Sequence, residues 1–363
     1  ALRAALEVRE MGKFLSPRLK GLKPYTPGEQ PQGGKYIKLN TNESPFPPSP
    51  YVFKALEGQA ETLRLYPDPE NRLLNEAIAE NFGLSPENII AGNGSDELLA
   101  LIFQAFCPKG AAFADITYGF YKVWAEFYGI DYKIVTLKDD FTLCLEDYRD
   151  LDETIVIANP NAPTGLAVSP EKIAALAAEK PDRLIVVDEA YVDFGAESCI
   201  RLVKELKNLI VVQTFSKSRS LAGGRAAFAA GDAELIRDFN TVKFSFHPYN
   251  LDRLTQLAAA AAIKDRVYFE TCTSKIIKTR ERVSGELKTL GFFLTDSMTN
   301  FIFARHEKIP GAEFYRLLKE KGVLVRYFGT ERIEDFIRIT VGSDDEMDAF
   351  LKALKDILKE AAK

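Results

Sequence analysis

From about residue 88 to residue 230 the chain alternates short apolar runs with helical patterns. The runs are Ile89-Ile90, Ala111-Ala112-Phe113, Ile134-Val135, Ile155-Val156-Ile157, Leu184-Ile185-Val186-Val187 and Leu209-Ile210-Val211-Val212. Strands buried on both faces read as unbroken apolar runs, and helical crossovers between them imply a mostly parallel sheet. This predicts an α/β domain. After His247-Pro248-Tyr249-Asn250 the pattern becomes a long helical stretch, Ala-rich and then charge-mixed, reaching about Leu290. Two strand-like runs, Asn300 to Ala304 and Phe336 to Val341, and a final amphipathic helix follow. That tail predicts a smaller α+β domain, with the long helix as connector. The first fifty residues carry too much Pro and Gly, as in Leu22-Lys23-Pro24-Tyr25-Thr26-Pro27-Gly28, for a continuous helix or central strand, and read as an extended arm. The arm crosses the surface of this subunit or of a partner.

Composition narrows the class. A chain of 363 residues with 46% hydrophobic and 27% charged residues is an ordinary globular protein, long enough for two domains. The net charge of −5, with Lys and Arg scattered among Asp and Glu, disfavours nucleic acid as a partner. Four widely spaced cysteines form no Cys-x-x-Cys pair and read as buried small hydrophobes in a reducing cytoplasm. The two histidines, His247 and His306, sit in no metal-binding or Ser/His/Asp signature, so no metal is expected and a general base is sought elsewhere. The start, Ala1 to Glu10, lacks the apolar core of a signal peptide, and no apolar stretch is long enough to span a bilayer, which gives a cytoplasmic, membrane-free expectation.

The candidate chemistry centres on Lys217, delivered by the run Leu209 to Val212 to the polar turn Ser216-Lys217-Ser218-Arg219-Ser220-Leu221-Ala222-Gly223-Gly224-Arg225. Loops at strand ends carry the chemistry of α/β enzymes. Gly92-Asn93-Gly94-Ser95-Asp96-Glu97 follows another strand and opens a helix, where backbone N–H groups can hold an anion; Ser-Asp-Glu is equally a good N-cap. Asn159-Pro160-Asn161-Ala162-Pro163-Thr164-Gly165 is a rigid polar turn. Asp188, in Val187-Asp188-Glu189-Ala190-Tyr191, ends one of the most apolar strands, where a carboxylate is costly without a cation; Asp115 is a weaker candidate acid. Arg338, alone in Phe336-Ile337-Arg338-Ile339-Thr340, suits carboxylate or phosphate, or else faces solvent from an edge strand.

In this order the segments resemble the fold-type I pyridoxal-phosphate aminotransferases over nearly the whole chain. Leu39-Asn40-Thr41-Asn42-Glu43-Ser44-Pro45-Phe46, Leu65-Tyr66-Pro67-Asp68, Gly94-Ser95-Asp96-Glu97, Phe215-Ser216-Lys217 and Arg338-Ile339-Thr340-Val341-Gly342 are most similar to the branch acting on histidinol phosphate. The resemblance implies a large domain, 41–262, with a mostly parallel seven-stranded sheet flanked by helices. It also implies an arm, 1–40, at the dimer contact and a small α+β domain, 263–363. Lys217 would attach the cofactor, pyridoxal 5'-phosphate, covalently. Asp188 would pair with the ring nitrogen, Tyr191 and Asn161 would meet the ring oxygen, and Tyr118 would stack on the ring. Gly94, Ser95, Asp96, Ser216, Arg225 and, more weakly, Thr214 would hold the cofactor phosphate, with Tyr66 reaching over from the second subunit of a homodimer. Arg338, Arg326, Tyr25 and Asn42 would meet the substrate.

The implied reaction moves an amino group from histidinol phosphate to 2-oxoglutarate, a step of histidine biosynthesis. The chain departs from the family at Ala162, where a second Asn commonly precedes Pro-Thr-Gly, and at Pro47, where Gly is common. Asn161 takes that role through a shifted turn, or Tyr191 acts alone. Rival readings are an aromatic amino-acid aminotransferase, a threonine-phosphate decarboxylase of the same fold, and a non-catalytic cofactor-binding protein.

Overall fold

The computed structural model describes residues 12–30 and 36–361; the chain start weighed above lies outside the described residues. The arm runs extended to a short strand, β1 (Ile37–Lys38), and the large domain then contributes β2 (Ile89–Gly92), β3 (Ala111–Ala114), β4 (Tyr132–Val135), β5 (Thr154–Ala158), β6 (Ile185–Asp188), β7 (Leu209–Thr214) and β8 (Ala227–Gly231). These seven form one sheet in the order β2-β8-β7-β6-β5-β3-β4. All are parallel except β8, which runs antiparallel to both neighbours. Six strands are buried along their whole length, and only edge strand β4 is partly exposed. Their unbroken apolar runs follow from helices covering both faces. The reversed strand, Ala227-Phe228-Ala229-Ala230-Gly231, has no β-branched residue and gave no strand signal in the sequence.

Because β5, β6 and β7 are parallel and in register, with Ala158 beside Asp188 and Asp188 beside Val212, their carboxyl ends open at one edge of the sheet. Ligands bind at that edge in open α/β sheets.

The expected connector is two helices, Arg253–Lys264 and Arg266–Thr289. Asp265 breaks them: its carboxylate accepts the Tyr268 N–H at 3.1 Å and caps the second helix, and it also takes the Ser49 hydroxyl. Arg280 on the second helix is buried and donates to the carbonyls of Phe194 and Thr299, both at 2.7 Å, fastening the helix to its surroundings.

The tail holds β9 (Phe292–Leu294), β10 (Phe301–His306), β11 (Val323–Leu324), β12 (Arg326–Tyr327) and β13 (Phe336–Thr340). Four of them make an antiparallel sheet ordered β12-β13-β10-β9, while β11 pairs in parallel with β1. The arm is thereby stitched to the small domain, and Leu39 just beyond β1 is buried in that domain's core. An apolar seam joins the domains: Ala114, Ile116, Leu137 and Phe141 from one side meet Phe303, Ile333 and Phe336 from the other, with the Phe303 and Phe336 rings stacked at 4.4 Å. Among the described residues no helix is long and apolar enough to cross a membrane, and no cluster of three potential metal ligands occurs.

Candidate active site

A cavity of about 410 Å³ opens at the carboxyl edge of the large sheet and is closed by the small domain and the arm. Lys217 reaches it because β7 ends in a tight reversal: the Phe215 N–H bonds the Ala226 carbonyl and the Leu221 N–H bonds the Phe215 carbonyl, both at 3.0 Å. Phe215 is buried beneath, so Ser216 and Lys217 are turned toward the cavity. The Lys217 amine donates to the Thr41 carbonyl at 3.1 Å and lies 5.9 Å from the centre of the Tyr191 ring. Part of its side chain stays open to the cavity. Burial lowers its pKa to about 8, the Arg338 charge acting in the same sense and Glu43 and Asp96 against it.

Asp188 ends β6 beside it, almost fully buried. Its Oδ2 accepts the Tyr121 hydroxyl at 2.7 Å and its Oδ1 the Ala190 N–H at 3.2 Å, but no ion pair reaches it among the described residues. Burial pushes its pKa up to about 6 against these two donors. Tyr191, directly after Ala190 in the same turn, receives the Asn42 amide on its hydroxyl at 2.9 Å, and burial raises its pKa. The neighbouring Glu189 points away from the cavity. It is satisfied by Ser198, the Cys199 N–H and Gln213, though burial still raises its pKa to about 7.

The helix Ser95–Phe106 starts from Gly94, and no side chain caps it, so the first-turn N–H groups face the cavity without a capping oxygen. Ser95 therefore does not act as the N-cap, and the helix start is free to meet an anion. Gly94 has φ +80°, and a Cβ there would collide with the Arg225 guanidinium. Arg225 reaches the Ser216 hydroxyl and the Asp96 carboxylate, both at 3.4 Å, and Thr214 donates to Ser216 at 3.0 Å. Tyr118 donates to Asp96 at 2.8 Å, so its ring stands beside the same cradle.

The opposite end of the cavity is cationic. Arg338 donates to the Asn40 carbonyl at 3.1 Å while its buried Nε has no partner among the described residues. Arg326 ties down the arm through the carbonyls of Thr26 at 2.7 Å and Pro27 at 3.0 Å, and Tyr25 stacks on Phe120 at 4.2 Å.

Of the residues singled out from sequence, Lys217, Asp188, Tyr191, Ser95, Asp96, Tyr118, Thr214, Ser216, Arg225, Arg326, Arg338, Tyr25 and Asn42 line this cavity. Gly94 backs Arg225 just behind it. Asn161 does not line it. Its amide donates to the Ile116 carbonyl and the Thr164 hydroxyl, both at 2.9 Å, and its oxygen accepts Thr117 at 2.8 Å. That side chain is spent on shaping its own turn, and Ala162 faces the cavity instead. Tyr66 is exposed, stacked on Tyr249 at 4.7 Å and away from the cavity of its own chain. Sequence reading missed Tyr121, Glu43 and the Thr41 carbonyl. Tyr121 lies 67 positions from Asp188, and nothing local to Phe120-Tyr121 marks it as the partner of that carboxylate.

The residues fit pyridoxal 5'-phosphate. A buried carboxylate without a cation matches a protonated ring nitrogen, a neutralisable amine matches its aldehyde, and the open helix start with Arg225 matches its phosphate.

Comparison with known proteins agrees with this geometry. Residues 34–354 match the family model of class I and II aminotransferases. The chain is 49% identical to the histidinol-phosphate aminotransferase of Brachyspira hyodysenteriae and 47% identical to that of Clostridium acetobutylicum, covering 96% of this chain and all of each relative. Its fold is similar to that of the Sinorhizobium meliloti histidinol-phosphate aminotransferase in complex with pyridoxal-5'-phosphate. The TM-score is 0.87 at 27% identity, over 97% of this chain and 99% of that one.

Proposed function

The chain belongs to the class I and II aminotransferases, and on that premise we propose that it converts L-histidinol phosphate and 2-oxoglutarate to imidazole acetol phosphate and glutamate, using pyridoxal 5'-phosphate. The observation that carries the reading is one cavity holding a recessed amine with a lowered pKa beside a buried carboxylate that has no cation partner among the described residues. When bound, the cofactor supplies an electron sink for the carbon that loses its proton.

The protein's own groups do the rest. Asp188, positioned by Tyr121 and the Ala190 N–H, would hold a proton on the ring nitrogen. Tyr191, its own oxygen already held by Asn42, would donate to the ring oxygen without help from Asn161. Tyr118 would pack against the ring. Ser95, Asp96, Ser216 and Arg225, with Thr214 orienting Ser216, would hold the cofactor phosphate. Lys217 would hold the cofactor and, when its amine is free, would take the proton from the amino-bearing carbon; burial lowers its pKa to about 8, which favours the free base. Arg338 and Arg326 face the donor's phosphate, because a buried guanidinium with an unpaired Nε calls for an anion. Tyr25 closes over that end from the arm. The two half-reactions share one site, which gives ping-pong kinetics.

A homodimer belongs to the same proposal. Tyr51, Phe53, Leu63, Leu65 and Tyr66 are exposed, and Tyr66 stacks on exposed Tyr249. Large apolar side chains exposed together in one stretch of chain suit a protein contact, and a second copy seated there would let Tyr66 reach the partner's cofactor phosphate. We also place the domain boundaries at 40/41 and 262/263, and the site of action in the cytoplasm, in keeping with four free cysteines.

The test is steady-state turnover with 2-oxoglutarate, comparing histidinol phosphate, phenylalanine and threonine phosphate as donors. The highest kcat/KM for histidinol phosphate, with equimolar glutamate, is expected. A preference for phenylalanine would move the function to aromatic transamination. Carbon dioxide from threonine phosphate without any oxoacid would make the protein a lyase.

A further inference from the structure

The loop between β12 and β13 belongs to the small domain, yet one of its side chains reaches across to the large one. Arg332 donates from Nη1 to the Asp115 carboxylate, and from Nη2 to the carbonyls of Leu137 at 2.9 Å and Lys138 at 3.1 Å. Asp115 is oriented for this by the Leu137 N–H at 2.9 Å. A guanidinium presents several donors in a fixed plane, so three acceptors on two segments define the position of the loop better than one ion pair could. Arg332 also sits at φ +70°, in the left-handed region that a non-glycine residue keeps only where surrounding contacts hold it.

The loop carries part of the substrate cavity. Phe328 and Ile333 line it, and Ile333 is anchored in the apolar seam between the domains. The Phe328 ring lies 5.6 Å from the Arg326 guanidinium and 5.5 Å from that of Arg338. Two like charges on neighbouring strands repel each other, and an aromatic face within cation–π range of both holds them in place.

We propose that Arg332 is a specificity-setting positioning residue: by anchoring loop 328–333 to Asp115 and the segment after β4, it keeps Phe328 against Arg326 and Arg338 and fixes their spacing for a phosphate monoester tail. The proposal rests on the phosphate-bearing donor argued above. Arg332 touches neither Lys217 nor Asp188, and the tail contact is the same before and during proton transfer. Its loss therefore acts on KM rather than on kcat.

The experiment measures kcat and KM of the cofactor-loaded enzyme for histidinol phosphate and for histidinol, which lacks the phosphate, together with competitive inhibition by inorganic phosphate. Wild type, Arg332→Ala and Arg332→Lys are compared. The expected result for Arg332→Ala is a KM for histidinol phosphate raised about tenfold, equivalent to about 1.4 kcal/mol, with kcat kept within about twofold. The KM for histidinol should stay near wild type, and the phosphate inhibition constant should rise in parallel with the KM for histidinol phosphate. Arg332→Lys, which keeps the charge but serves fewer acceptors, should fall between, and it carries the comparison should the Ala variant fail to fold. An unchanged KM for histidinol phosphate, or an equal rise for both donors, would overturn the proposal. Equal use of the two donors by wild type would instead sink the histidinol-phosphate reading, and the inorganic-phosphate constants would still decide whether Arg332 sets the anion end.

Discussion

Replacing Asp188 by Asn should stabilise the cofactor-free protein while abolishing its use of the cofactor. Asp188 is 5% exposed, has two hydrogen-bond donors and, among the described residues, no cation, and burial raises its pKa from 3.8 to about 6. A carboxyl group whose pKa is higher in the folded state contributes stability that is fully present below about pH 4 and is lost as the pH rises through about 6. A shift of roughly two units corresponds to about 3 kcal/mol lost by pH 7. Asn carries no charge to desolvate and still accepts from Tyr121, but its amide group meets no evident acceptor, an offset of about 1 kcal/mol. The net expectation is an Asn variant about 2 kcal/mol more stable than wild type at pH 7.5, with the advantage gone near pH 4. Urea unfolding of both cofactor-free proteins across this range reads it directly. Glu189, with its pKa raised to about 7, titrates in both proteins and cancels in the difference. A difference that does not vary with pH, or an Asn variant less stable at pH 7.5, would refute the idea of an uncompensated carboxylate. Added pyridoxal 5'-phosphate should reverse the order, because only wild type gains the ion pair with the ring nitrogen.

Three further outcomes follow from the same geometry. The rate at which cofactor-free protein captures pyridoxal 5'-phosphate, followed by the visible absorption that appears, should rise with pH through a midpoint near 8, because only the neutral Lys217 amine attacks; a midpoint above 10 would contradict its burial. Gly94→Ala forces a Cβ onto Arg225 at φ +80° and should weaken cofactor binding about tenfold by equilibrium dialysis, with a loss of about 1–2 kcal/mol in folding stability. Arg280→Ala leaves the carbonyls of Phe194 and Thr299 buried without their donor, and chemical denaturation should show a loss of about 3 kcal/mol with KM nearly unchanged.

The parallel strands were legible because both sheet faces are covered, which turns Leu209 to Val212 or Ile185 to Val187 into unbroken apolar runs. Strand β8 escaped for the complementary reason: Ala and Gly pack there beneath helices, and small residues carry no strand preference of their own. The connector was read as one helix because Asp265 is an ordinary polar residue until its carboxylate is seen capping the next turn.

At the site, residues standing at strand ends, such as Lys217 and Asp188, announced themselves by polarity at the end of an apolar run. Those whose part depends on a partner distant in sequence did not. Tyr121 beneath Asp188 and Arg332 across from Asp115 are an unremarkable helical Tyr and a loop Arg until the fold joins them. The turn at Asn161 shows the reverse: a residue type suited to the cofactor is present, but Ile116, Thr117 and Thr164 occupy its side chain.

The most direct test of the central claim is the half-reaction. The cofactor-loaded protein is mixed with histidinol phosphate in the absence of any oxoacid, and its visible absorption is followed. Loss of the band in proportion to the enzyme present, and its return on adding 2-oxoglutarate with one glutamate formed per site, is the predicted result. A band that histidinol phosphate leaves untouched, while phenylalanine bleaches it, would contradict the assigned donor.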